Sequence, residues 1–352
     1  MTSVETDVRQ AFLKQAKSCE DLGSAFTARL CRLAAKHMRA DTAVEERILS
    51  WPGNATATGD ALALRLAGSL HALVLSGQSV ALADIYPPKA AEDAMLWASV
   101  KAAFIDHQAF ILDRLTSAPQ TNEVRRSAAL LPGFLTIAQL TAKPLMLSEV
   151  GASAGLNLNW DKYAYTFGST TWGGTSTVSL APDWQGQPVP NAKLSVTNRA
   201  GCDLNPLNPA SAEDRLRLMS YIWADQADRL ERTRHALEIA VANNVVVDRA
   251  DAIDWLKRRL SQQHTGVTHV IYHTIAWQYL PDALKAKGEA LIAAAGKKAT
   301  TDAPLARLQM EADGKTDGAA LTLQIWPTGE RHEIGRADFH GRWVNWKGWP
   351  SA

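Results

Sequence analysis

Apolar positions recur at helical spacing from the start of the chain to about residue 140. Phe12, Ala16, Cys19 and Leu22 share one helical face, and Phe26, Leu30, Leu33 and Ala34 continue a second after Gly23-Ser24, which predicts a helix pair. Residues 60–75 place Leu62, Leu66, Leu70 and Leu73 on one stripe and stop at Ser76-Gly77. Further helices are predicted over 93–115, with Leu96, Val100, Ala103 and Phe104 on the buried side, and over 122–140. At residue 145 the period changes. Residues 145–149 form a short, turn-bounded apolar run, and strand-like runs recur at 193–198, 245–247, 268–272, 305–311, 320–326 and 332–345. Helical stretches at 156–165, 211–242, 253–260 and 283–295 alternate with them. This order predicts an α/β chain: an N-terminal all-helical domain over 1–140, then a doubly wound, Rossmann-like sheet of about seven strands over 141–352. The last two strand runs read as an antiparallel pair, and the Gly/Thr/Ser-rich stretch 168–192 reads as a β-hairpin-like insertion.

Length and charge narrow the partners. A chain of 352 residues can bury a full core and hold two structural parts. Lys and Arg total 37 against 36 Asp and Glu, so no basic field favours nucleic acid and no polybasic face favours a membrane. The stretch MTSVETDVRQ lacks a charged-then-apolar signal pattern, and no apolar run approaches the ~20 residues a bilayer span needs, so a cytoplasmic protein is expected. Cys19, Cys31 and Cys202 are too few and too scattered for a disulfide framework or a zinc site.

The chemistry gathers around PLMLSEVGASAGLNLNW, residues 144–160, which reads as strand, tight loop and helix. Gly151 and Gly155 let a backbone turn sharply and let a ligand reach main-chain N–H groups. Two chemistries use such a loop. As Glu149-x-Gly151-x-Ser153-x-Gly155 it resembles the first motif of S-adenosylmethionine-dependent methyltransferases, with Ser153 in place of the middle glycine. As Gly151-x-Ser153-x-Gly155 it matches the nucleophile elbow of serine hydrolases, with Asp282 and His332 or His340 available in the chain order Ser, Asp, His. A turn that merely packs a strand against a helix would look the same. The order of elements favours the first chemistry, because a hydrolase nucleophile strand is preceded by other strands and nothing before residue 145 resembles one.

Later strand ends add candidates. Asp203, just past the second strand, is placed to accept hydrogen bonds from both hydroxyls of a ribose, although an Asp opening a proline turn has the same appearance. After the third strand, Asp251 and Ala252 occupy the acidic and small positions suited to an adenine ring, with Asp254 as a helix-turn charge. The fourth strand runs into His273-Thr274-Ile275-Ala276-Trp277-Gln278-Tyr279, so His273 is the candidate catalytic base, and Trp277 and Tyr279 are candidate substrate contacts. His269 and His273 would suit a metal on a helix, but on a strand they are about 13 Å apart, so no metal site is expected.

The combination of AFTARL, WPG (Trp51 to Gly53), LRLAGSLHALVLSG, YPP (Tyr86 to Pro88), EVGASAGLNL, GCDLNP and HTIAWQYLP resembles a bacterial family catalogued as domain of unknown function 2332, over nearly the whole chain. The resemblance implies an amino-terminal helical region and a methyltransferase-like core, in which Gly151, Ser153, Gly155, Asp203 and Asp251 fall at cofactor-contact positions. On the methyltransferase reading S-adenosylmethionine is the cofactor, and the helical domain would close over the cleft and choose the acceptor, a small molecule or one of unknown class, with His71 or Trp97. Glu149 would order the glycine loop or contact the cofactor's amino group. A protein that keeps the fold and binds a nucleotide or a partner without chemistry is the alternative, followed by a hydrolase using Ser153.

Overall fold

The computed structural model describes residues 3–350. The chain begins with α1 (Ser3–Asp21), α2 (Ala25–His37), α3 (Ala43–Leu49), α4 (Leu62–Leu75), α5 (Val80–Ala83), α6 (Asp93–Asp106), α7 (Gln108–Leu115) and α8 (Arg126–Thr141). Strand β1 (Leu145–Val150) follows, with a 3-10 turn over Leu156–Lys162, then β2 (Ala164–Phe167), β3 (Thr170–Trp172), β4 (Ser179–Leu180), β5 (Asp183–Gly186) and β6 (Val196–Asp203). Next come α9 (Ala212–Ser220), α10 (Ala227–Ala242), β7 (Val247–Arg249), α11 (Ala252–Arg259), β8 (Thr268–Thr274) and α12 (Asp282–Gly296). Strands β9 (Leu305–Glu311), β10 (Ala319–Trp326), β11 (Glu330–Ala337) and β12 (Trp343–Trp346) close the order. No described helix is long and apolar enough to cross a membrane.

Two compact units result. The first holds the described residues up to Thr121 together with Ala212–Glu231. Its core forms where the apolar stripes meet: Phe12, Cys19, Leu62, Leu66, Leu70, Leu73 and Phe104 are all essentially inaccessible. Ser24 and Thr42 cap α2 and α3 by accepting from the amides of Thr27 and Glu45. The helix expected over 93–115 breaks at His107, whose φ of −120° leaves the helical region. The long helix expected over 211–242 is also two, because residues 221–226 turn into this unit: the Asp225 carboxylate accepts from Ser24 Oγ at 2.6 Å and from the Phe26 amide at 2.9 Å.

The second unit, Asn122–Ser211 with Arg232 onward, includes α8, so the expected boundary at 140 moves back to 121. The reason is burial on every face of α8: each residue from Arg126 to Ala138 is buried, and the helix packs on β8, β9 and β10. The sheet has nine strands in the order β5-β12-β11-β10-β9-β8-β1-β6-β7. β7, β6, β1, β8 and β9 are mutually parallel, while β10, β11 and β12 continue by antiparallel pairing. The expected antiparallel β10–β11 pair is present. The count of about seven becomes nine for two local reasons. The run at 332–345 folds back at Asp338–Gly341, where the Asp338 carboxylate accepts from the His340 and Arg342 amides, and so yields both β11 and β12. The insertion forms the β2–β3 hairpin and the short β4, then sends β5 along β12 and covers an otherwise bare edge.

Candidate functional site

Chain direction across the sheet reverses at β1. β6 lies on one side of it and β8 on the other, so the loops leaving the carboxyl ends of β1 and β8 part at a switch point, where ligands of open α/β sheets bind. The β1 loop takes positive φ at Gly151 (72°), Ser153 (54°) and Gly155 (71°), and the β8 loop at Ile275 (49°). A non-glycine residue in this region stores on the order of 1–3 kcal/mol, and a β-branched one is an outlier. Each side of the switch point therefore holds one strained non-glycine residue. Gly151 is required twice over, because a Cβ there would fall 2.5 Å from the Ala276 Cβ as well as demand that φ.

The glycine loop is anchored by side chains from three directions. Asp203, the last residue of β6, accepts the Ser153 amide on Oδ2 and the Asn205 amide on Oδ1, each at 2.9 Å. Asn122 Oδ1 accepts the Leu156 amide at 2.9 Å, Ser127 donates to Asn157 Oδ1 at 2.8 Å, and Asn157 donates to the Glu123 carbonyl at 3.2 Å. Arg126 donates to the carbonyls of Phe339 and Thr274, at 2.9 and 3.4 Å. Asn122, Glu123, Arg126 and Ser127 escaped the sequence reading as site residues; the polar run Asn-Glu-Val-Arg-Arg against an apolar helix was the available signal. Ser153 Oγ is buried and has no hydrogen-bond partner among the described residues.

Glu149 sits one residue inside the end of β1 and is 1% exposed. Burial drives its carboxyl well above the usual range, against the Tyr272 hydroxyl at 3.3 Å, and the nearby Asp203 charge adds to the shift. Burial thus disfavours its charged form, which makes an ionic contact with an ammonium group costly. Asp251 caps α11: its Oδ1 accepts the amides of Ile253 and Asp254 at 2.9 and 3.1 Å, and Ala252 is the first residue of the helix. The carboxylate of Asp248 in β7 accepts from Trp255 Nε1 at 2.7 Å.

At the end of β8 one carboxylate organises the loop. Glu311 Oε1 accepts from His273 Nδ1 at 2.7 Å and from the Ala276 and Trp277 amides at 3.0 and 3.1 Å, while Oε2 takes the Gln278 amide at 3.3 Å. Burial opposes ionisation of Glu311, yet the His273 bond and charge and the two amides hold its carboxyl below the usual range. His273 is fully buried, and burial pushes its imidazole down, the Glu311 bond opposing. With Nδ1–H on Glu311, Nε2 is the acceptor that faces Arg307 Nη2 at 3.2 Å. Both ring nitrogens are engaged away from solvent, so the geometry gives His273 a positioning role in place of the proton-accepting one expected. Its ring stacks on Trp277 at 4.9 Å, and the Arg307 guanidinium lies over Trp277 at 4.7 Å while pairing with Glu289. Tyr279 is 76% exposed on the same loop.

The residues expected for a hydrolase are not brought together. Asp282 is 97% exposed and pairs with Lys285, His332 packs its ring on Trp349 beside Glu330, and no histidine bonds Ser153 Oγ. His269 is bonded to Ser148 Oγ at 2.8 Å. In the helical unit, His71 Nδ1 meets the Ser220 carbonyl at 3.3 Å, and burial pushes its pKa down to about 4; Trp97 packs on His37 and Phe104. Among the described residues no group of three or more metal-ligating side chains forms.

Fold and site together define an α/β protein with a helical N-terminal region, a large mixed sheet and a glycine loop at its switch point. The chain belongs to the bacterial family described as "Uncharacterized protein conserved in bacteria (DUF2332)", which matches residues 9–346. No match was found among curated proteins or among solved structures.

Proposed function

We propose that the protein is an S-adenosylmethionine-dependent methyltransferase. One observation carries this reading. The parallel run β7-β6-β1-β8-β9 sets the glycine loop at the switch point, with Asp203 at the carboxyl end of the neighbouring β6 and Asp251 just beyond the next strand, β7. Asp203 uses one lone pair of each oxygen on backbone amides and keeps others for ribose hydroxyls. Asp251 spends only Oδ1 on the helix cap, leaving Oδ2 and the Ala252 backbone for the adenine edge. The unpartnered Ser153 hydroxyl fits a polar group of the methionine portion. Bound there, S-adenosylmethionine would supply an activated methyl group and leave as S-adenosylhomocysteine.

In this reading Trp277 and Tyr279 border the acceptor, and the chain contributes proximity and orientation rather than a base, since His273 is engaged. The same engagement favours a second reading, a binder of the same ligand without chemistry, which a turnover assay separates from the first. Asp203→Asn keeps an oxygen for the Ser153 amide and removes the charge offered to the ribose. A hydrogen bond to a charged group contributes about 1.5–3 kcal/mol, so affinity for S-adenosylhomocysteine is expected to fall roughly 10- to 100-fold with the circular dichroism spectrum unchanged. Wild-type affinity in a folded Asp203→Asn protein would contradict the ribose assignment.

A further inference from the structure

A cavity of about 420 Å³ opens on the helical unit. Phe110, Asp113, Arg114 and Ser117 line it from the end of α7 and the turn after it, and Glu213 and Arg217 from α9. Its two arginines differ from several other partly buried arginines of the chain. Arg199, Arg307 and Arg336 each meet a carboxylate, those of Asp161, Glu289 and Asp313. Neither Arg114 nor Arg217 lies within 4 Å of a carboxylate oxygen or donates a hydrogen bond among the described residues, although each guanidinium carries five N–H groups. Arg217 Nε is buried outright and unpartnered. The Arg114 guanidinium rests on the Phe110 ring at 4.9 Å, which fixes its plane and offers it no acceptor.

The two charges also oppose each other. Burial pushes Arg114 down from its ordinary value, and the Arg217 charge adds to this against Tyr221, Glu213 and Asp113. Asp113 and Glu213 are exposed at the rim and Asp214 lies beside them, so the pocket has a cationic floor and an acidic rim. The Tyr221 hydroxyl donates to the carbonyl of the lining residue Ser117 at 3.2 Å, and Arg65 is already spent on Asp60 and the Leu115 carbonyl. Two adjacent like charges, partly desolvated and without acceptors, are unfavourable unless an oxyanion joins them, and a planar guanidinium pair suits the bidentate geometry of phosphate or carboxylate.

We propose that Arg114 and Arg217 form an oxyanion-binding site that takes the phosphate or carboxylate group of a small molecule, independently of the switch-point cleft. The acidic rim selects against ligands whose far end is also anionic.

The test is the thermal midpoint of the full chain in increasing inorganic phosphate, and separately in acetate, with chloride holding ionic strength constant. A saturable rise is expected at millimolar anion, and the more effective anion identifies which oxyanion the site takes. Arg114→Gln with Arg217→Gln should raise the apparent dissociation constant at least tenfold. Arg217→Lys, which keeps the charge and loses the fork, should weaken binding less than that, and provides the comparison if the double variant does not fold. No saturable rise with either anion overturns the proposal, as does an unchanged response in a folded double variant or in Arg217→Lys.

Discussion

Glu311→Ala is expected to lower the unfolding free energy by roughly 3–5 kcal/mol, the cost of leaving several buried donors without an acceptor. Four donors lose their acceptor together: His273 Nδ1 and the amides of Ala276, Trp277 and Gln278. Three of them belong to the loop that follows Ile275, which holds a positive φ that nothing in its own side chain favours. The carboxylate thus offsets the strain of that turn and, through it, sets where Trp277 and Tyr279 stand. Glu311→Gln retains an acceptor oxygen and should lose less than half as much. Urea unfolding of both variants checks this; an Ala variant within about 1 kcal/mol of wild type would show that the loop is held by other contacts.

A second large effect is acid sensitivity. Burial depresses the imidazoles of His71, to about 4, and of His269, to about 3, and lowers that of His273. A histidine whose folded pKa lies below its unfolded value of about 6.5 binds its proton preferentially in the unfolded chain, so stability is complete above about pH 6.5 and falls as the pH drops toward the folded value. Each such group gives a slope of up to about 1.4 kcal/mol per pH unit. Glu149 acts in the opposite sense, since its raised folded pKa makes stability fall as the pH rises above its unfolded value. Between about pH 6 and 5 the imidazoles outweigh the one carboxyl, so stability falls through that window. Both units take part, because His71 belongs to the helical one and His269 and His273 to the sheet. The urea midpoint at pH 5 should lie well below that at pH 6, and equal midpoints would mean that these rings protonate in place.

Local pattern made some elements legible and left others hidden. The Leu62, Leu66, Leu70 and Leu73 stripe announces α4 because a single face of that helix meets a core. α8 carries the opposite signature, apolar on all faces, and that continuous burial is what assigns it to the sheet; counted simply as one more helix, it misplaced the unit boundary. The glycine loop and the carboxylates Glu149, Asp203 and Asp251 were readable from spacing, while Glu311 was not. Their hydrogen bonds were not, because Glu311 is 38 residues from His273 and Asp203 is 50 residues from Ser153, and such pairings depend on which strands become neighbours. The edge strand β5 was hidden within the insertion and β12 was merged into one run with β11 for the same reason: four-residue strands gain their meaning from a partner. The paired edge also gathers Phe167, Trp184 and Trp346, a use of tryptophan that composition alone did not locate.

The central claim concerns the ligand of the switch-point cleft, and calorimetric titration of the ligand-stripped full chain with S-adenosylmethionine and with S-adenosylhomocysteine tests it most directly. The account predicts saturable binding of both at one site per chain. Absence of binding heat for both ligands, confirmed by an unchanged thermal midpoint at saturating concentrations, would contradict it and leave the carboxylates of Asp203 and Asp251 with only their loop-holding and helix-capping roles.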